Sequence, residues 1–131
     1  KEKLLSSEVC NNLKLLKKTT GNSNWLIVSG GDQKELNYAF MKKNISTLFE
    51  GGIFGSPSTK FEIIKREISR NNIVEPVLFL GDSKLDFEVA KFFNFDFIFV
   101  TQWTEFNNWK SFFKNKKEVT IVNSPSSILK L

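Results

Sequence analysis

Short, wholly apolar runs alternate with amphipathic stretches along most of this chain. "WLIV" at 25–28, "PVLFLG" at 76–81 and, apolar but for Asp96, "FDFIFV" at 95–100 are runs of four to six residues, each closed by glycine, serine or threonine. A run that is apolar throughout predicts a strand covered on both faces. Between them the apolar residues fall at helical spacing. "DQKELNYAFMKKN" reads as one helix, "TKFEIIKREISRN" as another with Phe61, Ile64 and Ile68 inward, and "KLDFEVAKFFN" as a third with Leu85, Val89 and Phe92 inward. Residues 6–18 also read as a helix, with Val9, Leu13 and Leu16 on one face and Ser6 or Ser7 as N-cap. "ISTLFEGGIFGSPS" predicts a short strand and loop, "TEFNNWKSFFKN" a further helix and "EVTIVNSPSSILKL" a last strand and tail. The order strand–helix–strand, repeated, predicts an α/β fold: a parallel sheet between two layers of helices, three layers in all.

Composition narrows the chemistry. With 131 residues the chain suits one compact domain, residues 1–131. It has no histidine and a single cysteine, Cys10, so Ser-His and Cys-His catalysis, cysteine-rich metal motifs and an intrachain disulfide are excluded. No run approaches the roughly 20 apolar residues of a membrane span, and the charged start, Lys1-Glu2-Lys3, lacks a signal-peptide pattern. The expectation is a cytoplasmic protein. The formal net charge is +5, but the lysines are scattered and the densest run, "KNKKE" at 114–118, is short, so neither nucleic acid nor membrane is expected as a partner. Fourteen phenylalanines point to a ring-rich core. Trp103 and Trp109 either line a ligand mouth or pack the last helix on the sheet.

Three polar clusters fall where open parallel sheets bind ligands, at the carboxyl ends of strands. Ser29-Gly30-Gly31 follows the first apolar run. It is either a plain strand-to-helix turn or a place where a hydroxyl and backbone N–H groups meet an anion. Asp82 and Asp86 in "GDSKLD" stand four apart at the end of another run. They are either two hard oxygen ligands for Mg²⁺, or an N-cap and a first-turn acid answering the helix dipole. Lys60 opens a helix, where positive charge opposes the dipole; it is either solvated or set against an anion.

Taken in order, "WLIVSGG", Lys60 after "IFGSPST", and "VLFLGDSKLD" resemble the second, third and fourth motifs of the haloacid dehalogenase (HAD) superfamily, a group of mainly Mg²⁺-dependent phosphatases. The resemblance covers nearly all of residues 9–105 and implies a Rossmann-like, HAD-like sheet. It implies that Ser29 and the Gly30 backbone hold a substrate phosphate, that Lys60 is catalytic, neutralising the phosphate and orienting the nucleophile, and that Asp82 holds Mg²⁺, with Asp86 holding it directly or through water. The implied partner is a phosphorylated small molecule.

One part of the family pattern has no match. The first motif, DxDxT, carries the aspartate nucleophile on the first strand. The four aspartates here are Asp32, Asp82, Asp86 and Asp96, and none stands in a DxD. With Lys1 rather than methionine at the start, the expectation is a chain that lacks the family's first central strand and cap. Two strand edges would then be exposed, to be closed by pairing strand 25–29 with strand 77–81 or covered by a second copy in a homo-oligomer. Three functions follow: a HAD-type phosphatase part inactive alone, a non-catalytic phosphate-binding module, or a subunit of a split phosphatase. A receiver domain shares the sheet and carboxylates, but its acidic pair after the first strand is not visible.

Overall fold

The structure is a computed structural model that describes residues 17–18, 23–102 and 104–124. The expected helix over 6–18 lies almost wholly outside the described residues, as do Cys10, Trp103 and the tail beyond 124. Two compact units divide the chain after Val74. Each holds one parallel sheet, so the fold is α/β with parallel strands, as the alternation predicts. No helix among the described residues is long and apolar enough to cross a membrane.

The first unit pairs β1 (Leu26–Asp32) with β2 (Gly52–Ser56) in parallel. Helix α1 (Gln33–Lys42) and a 3-10 turn (Ser46–Leu48) connect them, and α2 (Lys60–Ser69) follows β2. Phe40, Ile45 and Phe49 form its buried cluster, with Trp25, Ile27, Leu36 and Ile53 packed against it. On α2 the buried residues are Ile63, Ile64 and Glu67. Phe61, expected inward, is 37% exposed.

The second unit has the order β3 (Leu78–Gly81), β4 (Asp96–Val100), β5 (Thr120–Val122), all parallel. Helix α3 (Lys84–Phe92) links β3 to β4, and a short α4 (Trp109–Phe113) precedes β5. Strand β4 shows why an unbroken apolar run belongs in a central strand. Side chains alternate across a sheet. Phe97 and Phe99 enter a cluster with Phe87, Ala90, Phe113 and Val119, while Ile98 and Val100 enter another with Val122.

Two expected helices differ in detail. Leu85 and Phe92 do not face inward on α3: they are 55% and 68% exposed, and the buried residues are Asp86, Phe87, Val89 and Ala90. Helix α4 covers five residues of the expected stretch. Upstream of it, the Thr104 hydroxyl oxygen accepts the Phe106 N–H at 3.1 Å, a local bond that competes with helix formation.

Helices α1, α2 and α3 stop in the same way. Asn44, Asn71 and Asn94 each adopt a positive φ of 58–61° just past the C-cap. The asparagine N–H and the next one then reach back to Met41 and Phe40, to Ile68 and Glu67, or to Lys91 and Ala90. This is the Schellman closure, in which asparagine stands in for the commoner glycine.

Candidate functional site

In the first unit the candidate anion residues sit on a break in the ladder. Val28 is opposite Phe54 and Asp32 is opposite Ser56, so Ser29, Gly30 and Gly31 together face the single residue Gly55. The two extra residues bulge out at the carboxyl end of β1. The Ser29 Oγ accepts the Gly31 N–H at 3.0 Å, which holds the bulge and leaves the hydroxyl hydrogen to donate elsewhere. Gly30 is exposed, and a Cβ there would meet nothing within 4 Å. Gly55 is the opposite case: a Cβ would strike the Gly31 carbonyl oxygen and lie 2.6 Å from Leu36 Cδ1.

The bulge removes ladder partners from β2, and Gln33 replaces them. Its Oε1 accepts the Gly55 N–H at 2.8 Å and its Nε2 donates to the Ile53 carbonyl. Asp32 does not belong to the candidate cation set. It is the N-cap of α1, accepting the Lys34 and Glu35 N–H groups at 3.1 Å each. Gln33→Leu is expected to cost about 1–3 kcal/mol, because the buried Gly55 N–H loses its acceptor. Urea unfolding checks this; an unchanged midpoint would show that the bulge holds itself.

Lys60 is the first residue of α2, half-buried, behind the N-cap Thr59. The start of that helix is closed by a capping box. Glu62 Oε1 accepts the Thr59 N–H at 2.8 Å and Thr59 Oγ1 accepts the Glu62 N–H at 3.1 Å. The Thr59 backbone N–H and hydroxyl hold the exposed Glu62 carboxyl below its usual range. The far end of α2 carries a buried acid that the apolar spacing does not reveal. Glu67, 2% exposed, accepts from Arg66 Nε at 2.9 Å, Arg70 Nη1 at 3.2 Å and Asn72 Nδ2 at 2.8 Å. Asn72 also donates to the Gly51 carbonyl at 2.7 Å and accepts from Asn24, which ties the end of α2 to the start of β2.

In the second unit Asp82 and Asp86 meet in one turn at the carboxyl end of β3. Ser83, not Asp82, is the N-cap of α3: its Oγ accepts the Asp86 N–H at 3.0 Å. Asp86 is 3% exposed, and its Oδ2 accepts the Asp82 N–H at 3.1 Å. Gly81 makes that possible. A Cβ on it would strike the Asp86 Cβ and lie 2.7 Å from both its Cγ and Oδ2, so a side chain at 81 has no room beside the tucked Asp86. Thr104, which no sequence pattern marks, donates its hydroxyl to the Asp82 carbonyl oxygen.

The donor chemistry fits a hard cation in part. Two carboxylates suit Mg²⁺ when it keeps several waters or phosphate oxygens of its own. An ionised carboxylate has about four lone-pair positions, so the Asp86 bond to Asp82 N–H does not exhaust it. Among the described residues no group of three or more acids, cysteines or histidines gathers to complete a cage.

The sequence matches no family model. No curated protein matches it either. Among solved structures, the chain is similar to a haloacid dehalogenase-like family hydrolase from Streptococcus pneumoniae, with a TM-score of 0.72 at 18% identity, over 95% of this chain and 58% of that one. The chain thus spans a little over half the length of that protein. An identity this low speaks for architecture and not for chemistry, and the architecture is clear: the chain has the fold of the haloacid dehalogenase-like hydrolases.

Proposed function

We propose that the chain is the phosphate- and Mg²⁺-binding part of a HAD-type phosphatase acting on a phosphorylated small molecule in the cytoplasm. These 131 residues alone would not turn over a phosphomonoester, because no aspartate in them stands in a DxD nucleophile motif. The observation that carries this reading is the "GDSKLD" turn. In a fold like that of a HAD-like hydrolase, it sets Asp82 at the carboxyl end of a parallel strand, with Asp86 buried beneath it.

By the family resemblance, Asp82 and Asp86 would hold Mg²⁺, and the bound cation would offset charge on the phosphoryl oxygens. Ser29 would give its hydroxyl hydrogen to a phosphate oxygen and Gly30 its N–H. Gly30 has no steric need to be glycine within the protein, which accords with a ligand approaching its backbone. Lys60 would add positive charge at the phosphate.

Mn²⁺ followed by electron paramagnetic resonance, with Mg²⁺ as competitor, tests the cation half. Binding is expected to be weak but saturable, and Asp82→Asn is expected to weaken it on the order of 10-fold or more. Equal binding by Asp82→Asn would remove the cation site. The second arm is release of phosphate from p-nitrophenyl phosphate. None is expected; turnover that vanishes in Asp82→Asn would overturn the claim that the chain is inactive alone.

A further inference from the structure

The backbone of Asp82 is fastened on both sides of its Cα. Its N–H is held by Asp86 Oδ2 at 3.1 Å, and its carbonyl oxygen accepts the hydroxyl of Thr104, 22 residues further along the chain. The orientation of that hydroxyl is itself determined. The Phe106 N–H points at the Thr104 Oγ1 from 3.1 Å, which occupies a lone pair and leaves the single hydroxyl hydrogen for Asp82. Phe106 in turn is lodged among rings, 5.4 Å from Phe112 and 6.4 Å from both Phe99 and Phe113 between centroids. A continuous path runs from the ring core through Phe106 and Thr104 to the residue after β3.

We infer that Thr104 is a positioning residue for the Asp82 carboxylate: it fixes the peptide that follows the Asp82 Cα, and with it the aim of this side chain at a divalent cation. The inference rests on the reading of Asp82 as a cation ligand. A residue just past the end of its ladder can turn about its φ and ψ, and a carboxylate displaced by a fraction of an ångström is a poorer ligand. Asp86 restrains the peptide before the Asp82 Cα. Thr104 restrains the peptide after it, from the segment that follows β4, so turning the Cα between them would strain or break these bonds. Groups that hold a metal ligand in place from behind generally matter to affinity almost as much as the ligand does.

The test is Mn²⁺ titration of the whole 131-residue chain, well below its melting temperature, for wild type, Asp82→Asn, Thr104→Val, Thr104→Ala and Thr104→Ser. Valine keeps the shape and removes the hydroxyl; alanine removes the hydroxyl without the branch and serves if valine does not fold. Both are expected to weaken Mn²⁺ binding on the order of 10-fold, and serine, which keeps the hydroxyl, to restore wild-type affinity. If valine and alanine lower the melting temperature yet bind as wild type does, the Thr104 bond is structural only and the inference falls, while the cation site stands. If Asp82→Asn binds as well as wild type, or wild type does not bind at all, the reading of the site fails and the positioning role fails with it.

Discussion

Phe99→Ala is expected to lower the stability of the second unit by about 3–5 kcal/mol, the range for emptying a large buried aromatic site. Phe99 is 0% exposed, on the middle strand of its sheet. Its ring lies 4.7 Å from that of Phe113, 5.9 Å from Trp109, 6.4 Å from Phe106 and 6.5 Å from Phe97. Neighbours this large and this well interlocked cannot collapse into the space, so lost transfer energy and cavity cost add. Phe99→Leu fills most of the volume and should lose less than half as much. Hydrogen exchange of the β4 amides, with urea unfolding beside it, reads the effect where it arises. A loss below about 1 kcal/mol would mean that the rings repack, and that the phenylalanine content is not what holds this unit.

Glu67→Ala is expected to cost about 2–3 kcal/mol. Removing one partner from a buried charged cluster leaves the others short of acceptors. Here Arg66 and Arg70 reach water, with side chains 36% and 64% exposed, so the cost falls mainly on Asn72 and the Gly51 connection. Glu67→Gln should be milder, since it keeps the shape and an acceptor for Asn72. Acid separates the two further. Burial pushes the Glu67 carboxyl upward, but hydrogen bonds from Arg66 and Asn72 and the charges of Arg70 and Arg66 outweigh it and leave the value below the usual 4.5. A depressed carboxylate contributes fully above the unfolded value and loses its contribution as pH falls through the folded one. The urea midpoint of wild type should therefore drop toward that of Glu67→Gln below pH 4.5. Parallel curves for the two proteins would show that the charge on Glu67 does not matter to folding.

Glu67 and Asp86 also explain where reading the sequence stops. The strands, helices and parallel pairing are visible in it because apolar runs and 3.6-residue spacing are local signals. The inward faces of α2 and α3 are visible only in part. "KLDFEVAKFF" has apolar residues at 85, 87, 89, 90, 92 and 93, nearly all around the helix, so spacing alone does not choose a side. The choice falls to a buried carboxylate whose partner lies outside the helix: Asp82 N–H for Asp86, Asn72 for Glu67. A pattern that sends charged residues outward places Ile64 and Val89 correctly but turns Phe61, Leu85 and Phe92 inward, whereas the structure exposes them. The candidate site divides likewise. That Asp82 and Asp86 meet at a strand end follows from their spacing, whereas Thr104 is joined to Asp82 only by the return of the chain through β4. The bulge at Ser29–Gly31 leaves no mark beyond two glycines, and the role of Gln33 depends on a strand 20 residues away.

The contact between Gly81 and Asp86 has an evolutionary side. Space for the tucked carboxylate exists only while position 81 has no side chain. The nearest atom is the Asp86 Cβ, which every residue but glycine would keep at 86, so the turn calls for glycine at 81 whether or not 86 carries an acid. The two positions, five residues apart, are constrained unequally in descent: a lineage can change the chemistry at 86 without being released to change 81. Across relatives of this chain that keep this turn, glycine at 81 should persist even where the acid at 86 has been replaced.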